Sequence, residues 1–269
     1  MYFLNTKDRF SLTSSTAPME NYPVWDSGTT YNTGDTVIYN NKICESVVDS
    51  NTSTPGEDAN WADRGAINPY KCIDEYINTQ TSSTEDIVIE FTINKVNGIG
   101  LINVIASSVE IEVYDSGDVL ILKKEESAIT GISSWKDYFF SDLEYKNKFF
   151  TELPYIFKGK IKLTVKKAET AAVGVVLIGF MQDLGLTLMD IRAGIDDYSK
   201  KVVDDNTGNI YLQQGNYRDT VDCKVLLKKT DFNTVKQRLV EVRATPVLWL
   251  ADTTEDYREL FLYGLNRYI

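Results

Sequence analysis

Carboxylates are the side chains through which this sequence could do acid–base chemistry, because it has 39 Asp and Glu residues and no histidine. Without histidine, serine–histidine and cysteine–histidine catalysis and histidine-based zinc sites are excluded. A carboxylate pair remains, as in glycoside hydrolysis, where the two groups stand about 5–9.5 Å apart. A chance pair forms easily among so many carboxylates, so their abundance predicts no activity. We expect a protein that is not an enzyme.

Potential metal ligands are spaced too irregularly to predict a cofactor. Four aspartates are dense in the C-terminal third: Asp196, Asp197, Asp204 and Asp205. They lack the D-x-[DN]-x-[DN]-G-x5-E spacing of a calcium loop, so they predict a solvated turn. The three cysteines are scattered along the chain: Cys44, Cys72 and Cys223. Without Cys-x-x-Cys spacing or a disulfide framework, we expect reduced thiols, no metal and no cofactor.

Composition and charge limit the partners of this chain. Its 269 residues, 43% hydrophobic and 25% charged, predict about two globular domains. The net charge of -11 repels phosphate backbones and anionic lipid. No apolar run of about twenty residues and no secretory signal is visible. We therefore expect no nucleic-acid partner, no membrane insertion, and synthesis in a host cytoplasm.

Residues 23–65 carry the signals of a small β module. Two short β-favouring runs, residues 36–39 and 43–48, flank an Asn-Asn-Lys turn and predict a hairpin. A Gly34-Asp35 turn precedes the hairpin, and a Pro-Gly turn leads on to Trp61. This order of aromatic residues, turns and strand resembles the chitin-binding modules of chitinases and of many bacteriophage tail proteins.

The resemblance implies that Trp25, Tyr31 and Trp61 bind carbohydrate. Flat aromatic rings suit the apolar C–H faces of sugars. The sequence departs from the family pattern at Cys44, where a tyrosine is usual. In the alternative interpretation the same three rings, with Tyr39, form the core that a domain of about 40 residues needs.

The other segments predict an arm and a sandwich. Residues 1–22 are polar and rich in Ser and Thr, which predicts an N-terminal arm that orders only against a partner. Residues 66–183 predict an antiparallel, jelly-roll-like β-sandwich. Its predicted strands are 87–93, 101–106, 109–114, 119–123, 160–166 and 173–180, with a hairpin turn at 115–118. An aromatic-rich stretch lies at 133–157 and includes Trp135, Tyr138, Phe139 and Phe140. It predicts a core plug or subunit contact, with a sugar platform as the alternative.

Residues 184–269 predict an α+β assembly domain. Two strands around a turn at 204–208 precede a helix whose start Thr230 or Asp231 can cap. Val235, Leu239 and Val242 fall on one face of this helix, and two further strands complete a small antiparallel sheet.

The order of these domains resembles structural proteins of tailed-phage virions. This resemblance implies a non-catalytic tail or baseplate component of the virion, which assembles with other tail proteins or copies of itself in a ring and displays the small module. The alternatives are an adhesin that binds a host-surface glycan and, behind it, an accessory subunit or domain of a glycan hydrolase.

Overall fold

The computed structural model describes residues 1–130, 135–136, 144–188, 191–203, 209–215, 217–251 and 261–265. Over these residues the chain is mainly antiparallel β, as predicted, with a 3-10 helix at Asn68–Ile73 and the α-helix α1 at Phe232–Glu241. The strands are β1 Tyr2–Asn5, β2 Phe10–Ser15, β3 Thr36–Tyr39, β4 Lys42–Ser46, β5 Trp61–Ala66, β6 Thr81–Ser83, β7 Ile87–Ile105, β8 Ser108–Asp115, β9 Leu120–Ser127, β10 Ile129–Thr130, β11 Glu144–Tyr145, β12 Lys148–Lys166, β13 Ala171–Asp183, β14 Leu186–Thr187, β15 Arg192–Asp197, β16 Lys200–Val203, β17 Ile210–Gln213, β18 Tyr217–Asp222, β19 Val225–Leu226, β20 Val247–Leu250 and β21 Phe261–Gly264. Two compact units are present, Thr6–Phe180 and Met1–Asn5 with Met181–Ile269.

The unit of residues 6–180 is built on two 19-residue strands, β7 and β12, which pair along most of their length. β12 also pairs with β8, and β8 with β9. On its other side β7 pairs first with β2 and then with β13. Alternate residues of β7, such as Ile87, Ile89 and Phe91, are fully buried in one core. Each such side chain stabilises the fold by about 1.5–3 kcal/mol.

Two predicted strands of this unit are parts of one longer strand. Residues 87–93 and 101–105 both belong to β7, and Ala106 follows its last residue. β12 pairs with β7 on both sides of a bulge between Glu152 and Ile156. The predicted turn at 115–118 is confirmed, since the N–H of Gly117 donates to Asp115 Oδ1 at 2.7 Å.

The aromatic-rich stretch 133–157 is partly strand. Its second half belongs to β12, where Phe149 and Phe150 are 2% and 5% exposed in the core. Trp135 is 80% exposed. Tyr138, Phe139 and Phe140 lie outside the described residues.

The N-terminal segment 1–22 differs from the predicted arm. β1 pairs with β20, and β2 pairs with β7, so both strands of the segment order within the chain itself. Phe3 and Leu4 are fully buried. The segment is polar on average, but its few apolar residues are placed where a strand can bury them.

The other unit has a small core around α1. Val235 and Val242 are buried there with Trp249 of β20, and Leu239 packs against them, so the predicted helix face is confirmed. Asp231 is the N-cap residue, although its side chain makes no capping hydrogen bond. β15 pairs with β18 and β16 with β17, which gives a long hairpin over 192–222. Its predicted turn at 204–208 lies outside the described residues.

Candidate functional site

The three-stranded sheet β3–β4–β5 positions the aromatic residues of the small module. β3 and β4 form a tight hairpin in which Asn40 and Asn41 both have positive φ, 48° and 63°, as a type I′ turn requires. Gly34 has a φ of 91°, a region that favours glycine. Asp35 closes this turn by accepting a hydrogen bond from the N–H of Asn32 at 2.7 Å. The hairpin and turn are as predicted.

Tyr31 and Trp61 pack against each other in the core of the module. Their ring centroids are 5.3 Å apart and their planes are inclined by 68°. They are 7% and 8% exposed, so neither presents a ring face to solvent. The indole N–H of Trp61 donates to Ser53 O at 2.9 Å, and Tyr31 Oη accepts from the N–H of Asp26 at 2.8 Å. Both polar tips are satisfied, as buried polar groups usually are.

Trp25 forms a second aromatic pair with Tyr39, at the edge of this core. The centroids are 5.3 Å apart and the planes are inclined by 74°. Both side chains are half-buried and lean on the core formed by the first pair. The indole nitrogen of Trp25 is buried and has no hydrogen-bond partner among the described residues. The exposed part of Trp25 therefore does not include its indole N–H.

An ion pair between Lys42 and Asp63 lies beside Tyr39 on the same face of the sheet. Lys42 lies opposite Tyr39 in the hairpin, and its Nζ is 2.6 Å from Asp63 Oδ2 on β5. The side chains of Lys42 and Asp63 are 56% and 53% exposed. Their hydrogen bond raises the pKa of Lys42 and, together with the N–H of Gly65, lowers the pKa of Asp63. Both stay charged at neutral pH, one as hydrogen-bond donor and one as acceptor.

Cys44 belongs to the core of the module. It lies opposite Val37 in the hairpin and is 6% exposed. Burial raises the pKa of its thiol, so the group is protonated at neutral pH. At the position where the resembled modules carry a tyrosine, this chain therefore contributes packing and no surface ring.

Trp25, Tyr31 and Trp61 thus have different places in the module. The structure brings them onto one small core, in which Tyr31 and Trp61 are buried and Trp25 is only partly buried. Sugar contact by the three residues stays a prediction. Sequence reasoning missed the contribution of Lys42 and Asp63, although a two-residue turn at Asn40-Asn41 places Lys42 opposite Tyr39.

Carboxylates with shifted pKa values are held in their charged form. Among the described residues, every carboxylate whose pKa is shifted has a lowered pKa: Glu20, Glu45, Asp49, Asp63, Glu110, Glu112, Glu125, Glu126 and Asp197. A general acid of a glycosidase needs the opposite shift. These carboxylates are suited to ion pairs and turns.

Two absences apply to the described residues alone. Within them, no group of three or more His, Cys, Asp or Glu side chains is placed to hold a metal ion. None of the helices in that part of the chain is long and apolar enough to cross a membrane.

Comparisons with known proteins give similar solved structures only, since no protein-family model and no curated protein matches the sequence. A CBM32-5 carbohydrate-binding module of Clostridium perfringens, in complex with GalNAc-β-1,3-galactose, is 13% identical, with a TM-score of 0.29, over 40% of this chain and 81% of its own. The CBM32-3 module from a family 31 glycoside hydrolase of the same organism is 12% identical, with a TM-score of 0.33, over 44% and 84%. Chitosan-binding module 1 from a chitosanase/glucanase of Paenibacillus sp. IK-5 is 10% identical, with a TM-score of 0.27, over 41% and 83%.

These similar structures are carbohydrate-binding modules, and none of the three is described as a phage component. At TM-scores near 0.3 the likeness carries no argument about this chain.

Proposed function

We propose that this protein binds a glycan without hydrolysing it, and that it does so as a tail or baseplate component of a bacteriophage. The observation that carries glycan binding is the half-buried ring of Trp25 on Tyr39, followed on the same face by the exposed Lys42–Asp63 pair. An aromatic surface beside a few fixed polar groups suits a sugar ring, which has apolar C–H faces and hydroxyl edges.

The stacking contact is tested by removing the ring of Trp25. Calorimetry with chitotetraose should show about a two- to tenfold loss of affinity in Trp25→Ala, since one aromatic contact is worth about 0.5–1.5 kcal/mol. Val24→Ala is the matched control, because Val24 is the neighbouring residue and is 72% exposed. Equal affinities in the two variants would rule out Trp25 as a sugar contact.

Asp63→Asn removes the negative charge of the Lys42–Asp63 ion pair without removing core volume. Because the Asp63 side chain is 53% exposed, we expect an unchanged unfolding temperature and weaker chitotetraose binding. This variant separates a loss of binding from a loss of folding, which Trp25→Ala alone does not do. Binding equal to that of the wild type would contradict a role for the ion pair.

The long hairpin over 192–222 favours the assembly part of the proposal. Apolar side chains on its four strands are strongly exposed: Ile195 65%, Val202 45%, Val203 49%, Ile210 57%, Tyr211 55%, Leu212 82% and Tyr217 66%. An isolated two-stranded ribbon is marginally stable in water, and exposed apolar side chains of this size favour a protein partner. A neighbouring subunit of a tail or baseplate ring would cover them.

Immunogold electron microscopy of phage particles from the source culture tests this assembly role. Label at a fixed position on the tail is the expected result. Particles without label, with the protein found in solution only, would contradict the virion role and leave the glycan-binding proposal to its own tests.

A further inference from the structure

A notch lies in the sheet of the unit of residues 6–180, where two ladders on the same side of β7 stop short of each other. The ladder with β2 ends at Ile93, and the ladder with β13 begins at Gly98. β7 residues 95–97 lie between these ladders, and β12 flanks them on the other side. Lys95 has a φ of 53°, a left-handed conformation that costs a non-glycine residue about 1–2 kcal/mol. The backbone is therefore held in an unusual form at this place.

Two exposed aromatic rings border the notch from β12. Tyr155 and Phe157 are 61% and 54% exposed, and Tyr155 lies in the bulge of β12. Phe180, at the end of the β13 ladder, packs edge-on against Tyr155 with centroids 5.8 Å apart. Lys95 Nζ lies 5.3 Å from the centroid of the Phe157 ring. Each exposed ring is thus fixed by one neighbour and keeps most of its surface in solvent.

The charges around the notch are mainly positive, although the chain as a whole has a net charge of -11. Arg9 and Lys158 lie on either side of Asn94: the carbonyl of Arg9 accepts from the N–H of Asn94, and Lys158 pairs with Asn94 in the β12 ladder. Lys95, Arg9 and Lys158 carry three positive charges, whereas Glu152, which lies opposite Gly98, carries one negative charge. Lys7 and Asp8, in the turn before Arg9, offset each other. The side-chain Nε of Arg9 is buried and has no hydrogen-bond partner among the described residues.

We infer that the notch binds an acidic oligosaccharide, with a sugar ring stacked on Phe157 and Tyr155 and its carboxylate held by Lys95 and Lys158. A core role does not explain the two rings, because they are exposed in the folded chain. A protein interface fits less well, since lysine is depleted at the centre of such interfaces, and here Lys95 lies directly over an aromatic ring. A uronic acid residue has an apolar ring face, which can stack on an aromatic ring, and a carboxylate, which cationic side chains can bind.

This second site is separate from Trp25, and it can therefore be tested independently of the proposed function. The probes are tetragalacturonic acid and the neutral β-1,4-galactotetraose, titrated into the full chain by calorimetry at low and at physiological salt. We expect binding of the acidic probe alone, weakened by salt. Equal binding of both probes, or no binding of the acidic one, would overturn the inference.

Phe157→Ala should weaken binding of tetragalacturonic acid at least tenfold, whereas Val119→Ala should not change it. Val119 is a suitable control because it is an exposed apolar residue (61%) elsewhere on the same unit. Trp25→Ala should leave this binding unchanged, which distinguishes the notch from the module. If Phe157→Ala leaves binding intact but changes the oligomeric state in light scattering, the notch is a protein interface and the inference is wrong.

Lys95→Gly keeps the test valid if other variants fold poorly. Glycine adopts a φ of 53° without strain, so the unfolding temperature should stay the same or rise. The affinity for tetragalacturonic acid should nevertheless fall several-fold, and its salt dependence should weaken. An unchanged affinity and salt dependence would contradict the role of Lys95.

Discussion

Trp25 packs edge-on against Tyr39 in nearly the same geometry as Tyr31 against Trp61. The ring centroids are 5.3 Å apart in both pairs, and the ring planes are inclined by 74° in the first pair and 68° in the second. The inner pair is closed off from solvent, and the outer pair is half-buried. The interpretation as core residues therefore applies to the inner pair, and the interpretation as a sugar site applies to the outer pair. Substitutions in the two pairs should have different effects.

Trp61→Ala should destabilise the module by about 3–5 kcal/mol, because it removes a buried ring and leaves Ser53 O without its indole donor. Urea denaturation followed by circular dichroism measures this loss. The matched control is Trp135→Ala, the same substitution at a tryptophan that is 80% exposed, which should change stability by less than about 0.5 kcal/mol. Similar losses in both variants would contradict the burial of Trp61.

Two valines of α1 give a second matched pair. Val235 is 7% exposed in the core around the helix, and Val240 is 52% exposed on the opposite side. Val235→Ala should cost about 1–2 kcal/mol, the loss of two buried methyl groups less the better helix propensity of alanine. Val240→Ala should be neutral or slightly stabilising. Thermal unfolding of the two variants shows which face of α1 is buried. A larger loss of stability in Val240→Ala than in Val235→Ala would contradict the assigned face.

The local elements of this chain could be predicted because their signals lie within a few residues of one another. The Asn40-Asn41 turn has the residue types that positive φ favours, and the apolar face of α1 follows from the helical period alone. The same holds for the turn at Asp115, where one side chain accepts from nearby backbone N–H groups.

Long-range pairing was not predictable in the same way. β2 pairs with β7 about 80 residues away in sequence, and β1 pairs with β20, so the burial of Phe3 depends on residues that no local pattern connects to it. The notch at Lys95 likewise requires the ends of two ladders and a bulge on a third strand. Sequence periodicity gives no information about where such ladders stop.

Cys72 should be inert to alkylation in the folded protein. It is fully buried, and burial raises the pKa of its thiol from 9.0 to about 11. Iodoacetamide reacts with the thiolate, which is scarce at pH 8 in such an environment. Mass spectrometry after labelling should find Cys72 unmodified in the native protein and modified in urea. Rapid labelling without denaturant would contradict its burial.

Glu112 should make the stability of the protein depend on pH in the acid range. The residue is 8% exposed, and its carboxylate accepts a hydrogen bond from Lys123 at 2.8 Å and lies 3.3 Å from Lys162. The Lys123 bond holds the Glu112 pKa below its usual 4.5. Because the folded-state pKa is lowered, this stabilisation is complete well above pH 4.5 and is lost as the pH falls through the folded-state value.

Glu112→Gln should therefore lower the free energy of unfolding at pH 7. Between pH 7 and pH 3 the variant should then lose less of its free energy of unfolding than the wild type does. Urea denaturation at pH 7 and pH 3 gives both quantities. Glu57→Gln, at an exposed glutamate in the loop before β5, is the control and should follow the wild-type curve. Parallel acid losses in Glu112→Gln and the wild type would mean that Glu112 and its lysines do not contribute to the acid sensitivity. Other carboxylates titrate in the same range, so the contribution of Glu112 is the difference between the acid-induced loss of stability in the wild type and that in Glu112→Gln.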